Sequence, residues 1–218
     1  MNVIDWGIIP YQEAWDKQEA ILEEQITRKK NGLNTEDTFI LCEHPHVYTL
    51  GKHGHQSNLL VSESYLRAQG ADFVHTNRGG DITYHGPGQI VGYPIFDLER
   101  LGLGLKKYIY TIEECIIRTI QHYGIKGERV DGATGVWIEP QTPHTRKIAA
   151  IGVRCSHYIT MHGFALNVNT DLQRFKEINP CGFIDKGVCS IASECQKAID
   201  EKETKQILVH EMKQLFII

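Results

Sequence analysis

Between residues 71 and 98 the chain alternates short apolar runs with turn chemistry, and no other feature constrains its fold as much. Ala71–Thr76 and Asp81–His85 read as strands around the turn Arg78-Gly79-Gly80, and Gln89–Leu98 reads as a third strand after Gly86-Pro87-Gly88. Further strands are expected at Thr38–Cys42, Val47–Leu50, Val136–Ile138, Ile148–Cys155 and Phe164–Asn169. Helical periodicity is confined to a few segments. Residues 11–30 repeat Tyr11, Trp15, Leu22 and Ile26 near 3.6-residue spacing, with Glu24 and Arg28 at i,i+4 and Asn31-Gly32 as the stop. Ser62 caps a short helix that runs through Gln69 and ends at Gly70. Residues 105–123 carry Leu105, Ile109, Ile112, Ile116 and Ile120 on one face, with Gly124 at the C′ position. A last helix over about 200–215 turns Ile207, Leu208, Met212 and Leu215 inward. Strands that come in runs, with few helices between them, predict an α+β fold: a mixed sheet with helices packed on one face.

The 218 residues show no internal repeat and no linker, so one domain over 1–218 is expected. The net charge is −4 and the longest basic run is Arg28-Lys29-Lys30. Nucleic-acid binding needs clustered cations, so no nucleic-acid partner is expected. No stretch approaches the ~20 apolar residues of a membrane span, and the first residues lack the basic and apolar regions of a signal peptide. No arginine precedes Arg28, which argues against a transit peptide. The cysteines, 42, 115, 155, 181, 189 and 195, show no CxxC spacing. Free thiols, mostly buried, in a reducing cytoplasm are the natural reading, with no membrane partner.

Three segments carry chemistry. Arg78–Tyr93 holds five glycines and one proline in sixteen residues. Glycine exposes backbone and admits close approach of a ligand. The same composition also suits a pair of tight turns with His85 as a satisfied polar residue. Neither GxxxxGK[ST] nor a strand-to-helix GxGxxG is present, so no nucleotide is indicated. In Lys147-Ile-Ala-Ala-Ile-Gly152 a lysine borders an apolar strand; it is either partly desolvated, which lowers its pKa, or snorkels into water. His162–Asn169 is followed by Asn179-Pro-Cys-Gly182, which puts Cys181 in a turn. Cys42 and Cys155 lie in strand-like runs, Cys115 on a helix, and Cys189 and Cys195 in an irregular stretch, so Cys181 is the best-placed candidate nucleophile. His44, His46, His53 and His55 fit no HExxH or C₂H₂ spacing, and no metal site is expected.

Together these segments resemble the lipoyl/octanoyl transferase family. Its signature R-G-G-x-x-T-(aromatic)-H-G-P-G-Q matches Arg78–Gln89 throughout. Its K-I-x-x-I/L-G, H-G-(hydrophobic)-A-L-N-V and N-P-C-G motifs match Lys147–Gly152, His162–Val168 and Asn179–Gly182 in the same order, so the resemblance covers about residues 40–195. It implies the catalytic module shared with biotin protein ligases and lipoate–protein ligases. It also implies that Cys181 is the acyl-thioester nucleophile and that Lys147 tunes its pKa and moves protons. The substrate-binding residues implied are Arg78, Gly79, Gly80, Asp81, Ile82, Thr83, Tyr84, His85, Ala150, Ile151, Gly152, Gly163, Phe164 and Ala165. The glycine-rich wall and Phe164-Ala165 would form an apolar slot, shaped also by His85 and His162. Residues 139–146 are longer and richer in proline than the family pattern and are expected to form a surface loop.

The activity implied is ping-pong transfer of an octanoyl group from octanoyl-acyl carrier protein to a lysine of another protein. The acceptors would be lipoyl domains of 2-oxoacid dehydrogenase complexes and the glycine cleavage H protein. No cofactor is expected: the donor is a thioester, amide formation is downhill, and neither ATP nor a metal is required. An ATP-dependent ligase on the same fold would instead need an adenylate site, and the Cys181–Lys147 pair is superfluous to that chemistry. Both partners are acidic as classes, so a local basic patch is expected from among Lys52, Arg67, Lys106, Lys107, Arg154, Arg174 and Lys176.

Overall fold

The computed structural model describes residues 1–179 and 187–216. The strands are β1 (Asn2–Ile8), β2 (Thr38–Glu43), β3 (Val47–Leu50), β4 (Asp72–His75), β5 (Ile82–His85), β6 (Gln89–Ile95), β7 (Glu128–Val130), β8 (Ala133–Ile138), β9 (Arg146–Ser156), β10 (Ile159–Asn167) and β11 (Gly187–Val188). The helices are α1 (Tyr11–Lys30), α2 (Glu63–Ala68), α3 (Leu105–Gln121), α4 (Ile191–Cys195) and α5 (Glu201–Leu215). Among the described residues these strands form two sheets. The larger has eight strands in the order β1-β2-β6-β10-β9-β8-β7, with β11 also paired to β9. The smaller has three, in the order β4-β3-β5. Parallel β1–β2, β11–β9 and β3–β4 pairs sit beside antiparallel ones, so both sheets are mixed.

Strand polarity follows position. β6 and β10, in the middle of the large sheet, are buried along their whole length, and β2 nearly so. Their alternating side chains feed two separate cores. Phe39, Leu41, Ile90 and Leu166 point to one face, where Ile112 and Ile116 of α3 and Leu208 and Met212 of α5 cover them. Ile40, Cys42, Val91 and Ala165 point to the other, where Ala14 and Leu22 of α1 lie. Helices therefore cover both faces, which corrects the expectation of one. The stripe on α1 was misleading, since its buried residues are Tyr11, Ala14, Gln18, Leu22 and Gln25, while Trp15 and Ile26 are only partly buried. A third core under the small sheet gathers Tyr48, Leu50, Leu66, Ile82 and Tyr84.

Ser62 does cap α2, accepting a hydrogen bond from the Tyr65 N–H, and Gly70 and Gly124 both take positive φ just past their helices. Residues 139–145 form the loop joining β8 to β9, and Arg146, expected in the loop, is the first residue of β9 and pairs with Glu139 and with Glu194 of α4. Among the described residues no helix is long and apolar enough to cross a membrane.

Candidate active site

A cavity of about 390 Å³ lies between the small sheet and the α1-bearing face of the large one. Its buried floor comes from Val91 and Tyr93 of β6 and His162–Ala165 of β10. One wall is the Gly80–Thr83 stretch leading into β5, and the facing wall is Ala150–Gly152 of β9. Gly132 and Thr134, both exposed, open it beside Lys147.

The two walls are stitched together where the chain has no side chains. The Gly79 N–H donates to the Val153 carbonyl at 3.0 Å. A Cβ on Gly152 would lie 2.6 Å from the Gly79 oxygen, so no larger residue fits this approach. Arg78 anchors the same turn. It is buried, and its guanidinium donates to the Thr49 carbonyl at 2.6 Å, to the Thr49 hydroxyl at 2.8 Å and to the Gly79 carbonyl at 3.0 Å. The arginine thus ties β3 to the glycine turn, and it lines the cavity.

Hydrogen-bond partners fix the tautomers of three buried histidines. His44 Nδ1–H donates to the Ile9 carbonyl at 2.7 Å, so Nε2 accepts from the Tyr93 hydroxyl at 2.6 Å. Gln89 uses its amide N–H groups on the Tyr84 carbonyl and Asn167, which leaves its oxygen to accept from His85 Nδ1 at 2.8 Å. Asn77 donates to Glu19, so its oxygen accepts from His162 Nε2 at 2.7 Å. Burial pushes the His44 pKa down to about 4 and that of His162 to about 3, the latter helped by the charges of Arg78 and Arg154. His85 is held well below the ordinary value by burial and then by His44 and Arg78. Tyr11, stacked on His85 with ring centroids 5.7 Å apart, is pushed up to about 12 by burial. All of these groups are neutral at pH 7.

This makes stability pH-dependent. The unfolded chain protonates each histidine below about pH 6.5, and the folded protein resists until several units lower. The unfolded state then binds more protons, so stability falls as pH drops below 6.5, by about 1.4 kcal/mol per histidine per pH unit at the steepest. We expect the urea midpoint to be flat from pH 8 to 7 and to drop steeply between pH 6.5 and 5. An unchanged midpoint at pH 5 would mean these imidazoles are not buried and neutral.

Lys147 sits at the open end. Its ammonium lies 4.4 Å from the centre of the Trp137 ring and 3.4 Å from the Thr134 carbonyl, to which it donates. Trp137 is itself fixed by its indole N–H, which donates to the Ala133 carbonyl at 2.8 Å.

Of the residues expected from sequence, Arg78, Gly80, Asp81, Ile82, Thr83, His85, Lys147, Ala150, Ile151, Gly152, His162, Gly163, Phe164 and Ala165 line this cavity. Cys181 lies outside the described residues. Gly79 and Tyr84 do not line the cavity. Gly79 spends its backbone on β9. Strand alternation turns Tyr84 away from Thr83 and His85 into the third core, where its hydroxyl meets His46 Nδ1 at 2.6 Å. His46 and His44 are thus structural, and among the described residues no group of three or more His, Cys, Asp or Glu could hold a metal ion. Sequence reasoning missed Tyr11, Tyr93, Trp137 and Phe175 as lining residues. Gln89 and Asn167, which also line the cavity, lie inside matched motifs, and Tyr93 closes the glycine-rich segment, so these three carried a signal.

Comparison with known proteins identifies the fold and the family. The family described as lipoyl protein ligase A/B catalytic domain matches residues 10–213. An octanoyltransferase from Bacteroides fragilis (strain YCH46) is 54% identical over 208 residues, covering 95% of this chain and 94% of that protein. Among solved structures, the archaeal bi-partite lipoate protein ligase system of Thermoplasma acidophilum matches with a TM-score of 0.73 at 12% identity, over 100% of this chain and 84% of that one. The biotin protein ligase of Aquifex aeolicus matches at 0.54 and 11% identity, over 99% of this chain and 69% of that one. The two structures share the fold; the sequence match goes further, and the chain belongs to the octanoyltransferase family.

Proposed function

We propose that this chain carries an octanoyl group from octanoyl-acyl carrier protein to lysines of lipoyl domains, as a thioester on Cys181. The observation that carries the reading is Lys147, a cation placed at the mouth of a largely apolar slot in a chain of the octanoyltransferase family. An ordinary cysteine is only a few per cent thiolate at neutral pH, and a nearby ammonium raises that fraction. The Cys181 thiolate attacks the donor carbonyl, a C–S bond forms, and the carrier's thiolate leaves with the Lys147 proton. The acceptor amine then attacks, an amide bond forms, Cys181 departs as thiolate, and the amine's proton returns to Lys147. Both half-reactions balance with no input from ATP. Each methylene buried against Val91, Ile151, Phe164 and Ala165 contributes about 0.8 kcal/mol to holding the chain.

The partner reading rests on charge. Lys52 adjoins His53, and Arg174 and Lys176 flank Phe175; His53 and Phe175 both line the cavity. None of the three cations is in a salt bridge among the described residues, whereas Arg67 pairs with Glu63 and Arg154 with Glu19. A cationic rim on a net-negative protein favours acidic partners. The related archaeal ligase was solved as a system with its E2 lipoyl domain.

Intact-mass measurement after mixing with octanoyl-acyl carrier protein, without ATP, tests the reading. One octanoyl adduct on the wild type, removed by hydroxylamine and missing from Cys181→Ser, is the expected result. An unlabelled wild type, or an equally labile adduct on the variant, would overturn it.

A further inference from the structure

We propose that Trp137 is a positioning residue that holds Lys147 at the mouth of the slot and keeps it protonated in the resting enzyme. The proposal rests on the acyl-transfer reading above. Trp137 and Lys147 are directly opposite on β8 and β9, which brings the ammonium over the indole at 4.4 Å. A cation over the face of tryptophan is attracted by the ring's quadrupole, more strongly as water is excluded, and Trp137 is only 2% exposed. The ring cannot swing away, because its N–H is bonded to Ala133.

The rest of the β8 edge completes a cradle. Thr134 presents its carbonyl to the ammonium. Gly135 lies under the lysine stem, where a Cβ would already touch Lys147 Cε at 3.4 Å. Both the ring face and the carbonyl oxygen interact favourably with the charged form and offer the neutral amine much less. The cradle therefore favours the ammonium that a resting thiolate needs, and lets the proton go only when a leaving thiolate takes it.

Among the described residues, several other charges of this region have partners of their own. Glu113 of α3, behind Gly135, is bonded to Arg129 and to the Gly135 N–H. Arg146, next along β9, is held by Glu139 and Glu194. The Cys189 thiol after β11 is pushed up by burial and is neutral. Glu128, opposite Trp137 on β7, pairs with Lys126 at 3.0 Å, and Asp131, on the exposed β7–β8 turn, is the other carboxylate of this hairpin.

The test is the rate of enzyme acylation by octanoyl-acyl carrier protein against pH, by rapid quench, for wild type, Trp137→Tyr and Trp137→Leu. Acylation falls on the alkaline side as Lys147 loses its proton. Trp137→Leu is expected to move that limb down by about one pH unit, and Trp137→Tyr, which keeps an aromatic face, by less than half as much. Lost packing against the acyl chain, or a smaller folded fraction, lowers the rate at every pH and leaves the limb in place. A Trp137→Leu limb that coincides with wild type overturns the proposal, as does an equal shift in both variants. Failure of the wild type to be acylated at any pH would instead sink the acyl-transfer reading itself.

Discussion

Lys147→Met is expected to lower kcat/KM for octanoyl transfer by about 10²–10⁴-fold at pH 7 while leaving the fold in place. Methionine keeps most of the unbranched stem that lies along Gly135, and its thioether still packs on Trp137, so the loss is one of charge and proton transfer. On the proposed mechanism, Cys181 without the ammonium is an ordinary thiol with a pKa near 8.5, and acylation becomes dependent on alkaline pH. Raising the pH to 9 should recover part of the first half-reaction but little of the second, which also needs a proton acceptor. Lys147→Arg separates the two roles. Arginine keeps the positive charge but does not deprotonate in a protein, so acylation should survive better than transfer to the amine. Single-turnover assays of each half-reaction check this. A Lys147→Met enzyme acylated within threefold of the wild-type rate at pH 7 would remove Lys147 from the mechanism.

Most of the sheet was legible because its strands are short, bounded by glycine or proline, and rich in β-branched and aromatic residues. β3 begins and ends where the pattern put it, at Val47 and Leu50. β1 was not seen. Gly7 takes φ +62 and the pairing with β2 slips between Asp5 and Ile8, so no two-residue alternation survives in the sequence. β7 was missed because its three residues, Glu128–Val130, sit at a sheet edge with no apolar face to reveal them. On α1 the buried polar residues Gln18 and Gln25 interrupt the apolar repeat. They are buried because each serves a partner outside the helix, Gln18 accepting from the His162 N–H and Gln25 from the Glu36 N–H.

The site divides the same way. Residues of the cavity walls fall in contiguous motifs and could be read from them. Tyr11, Trp137 and Phe175 come from distant parts of the chain, and only the fold places them on one cavity. Tyr84 runs the other way. It belongs to the motif, but the strand's alternation directs it to the core, and the motif match concealed that.

Gly163→Ala should destabilise the protein by at least about 3 kcal/mol, although the change adds one methyl group. Gly163 lies on β10, the middle strand of the path β1-β2-β6-β10-β9-β8-β7, between β6 and β9. A Cβ there would sit 2.1 Å from the Gly92 carbonyl oxygen and 2.7 Å from Pro94 Cδ. The first clash is with backbone, which has no rotamer to change. Relief requires β6 to move away from β10, and that strains the Phe164–Gly92 and Ala165–Val91 pairs holding the two strands together. Val91, Phe164 and Ala165 also floor the cavity, so the destabilised protein should lose octanoyl binding with its structure. For a chain of this size the loss corresponds to a fall in Tm of about 10 °C. Gly104→Ala is the matched control: a Cβ at Gly104 meets nothing within 4 Å, and its cost should not exceed the ~1 kcal/mol of a poorer helix cap. Thermal melts of both variants decide the matter. Should Gly163→Ala melt within 2 °C of wild type, β6 and β10 do not pack as described, and Gly163 would have to be explained by the acyl chain alone. Should it melt far lower while Gly104→Ala does not, this motif glycine is required first by the sheet, and the slot is built where the sheet allows no side chain.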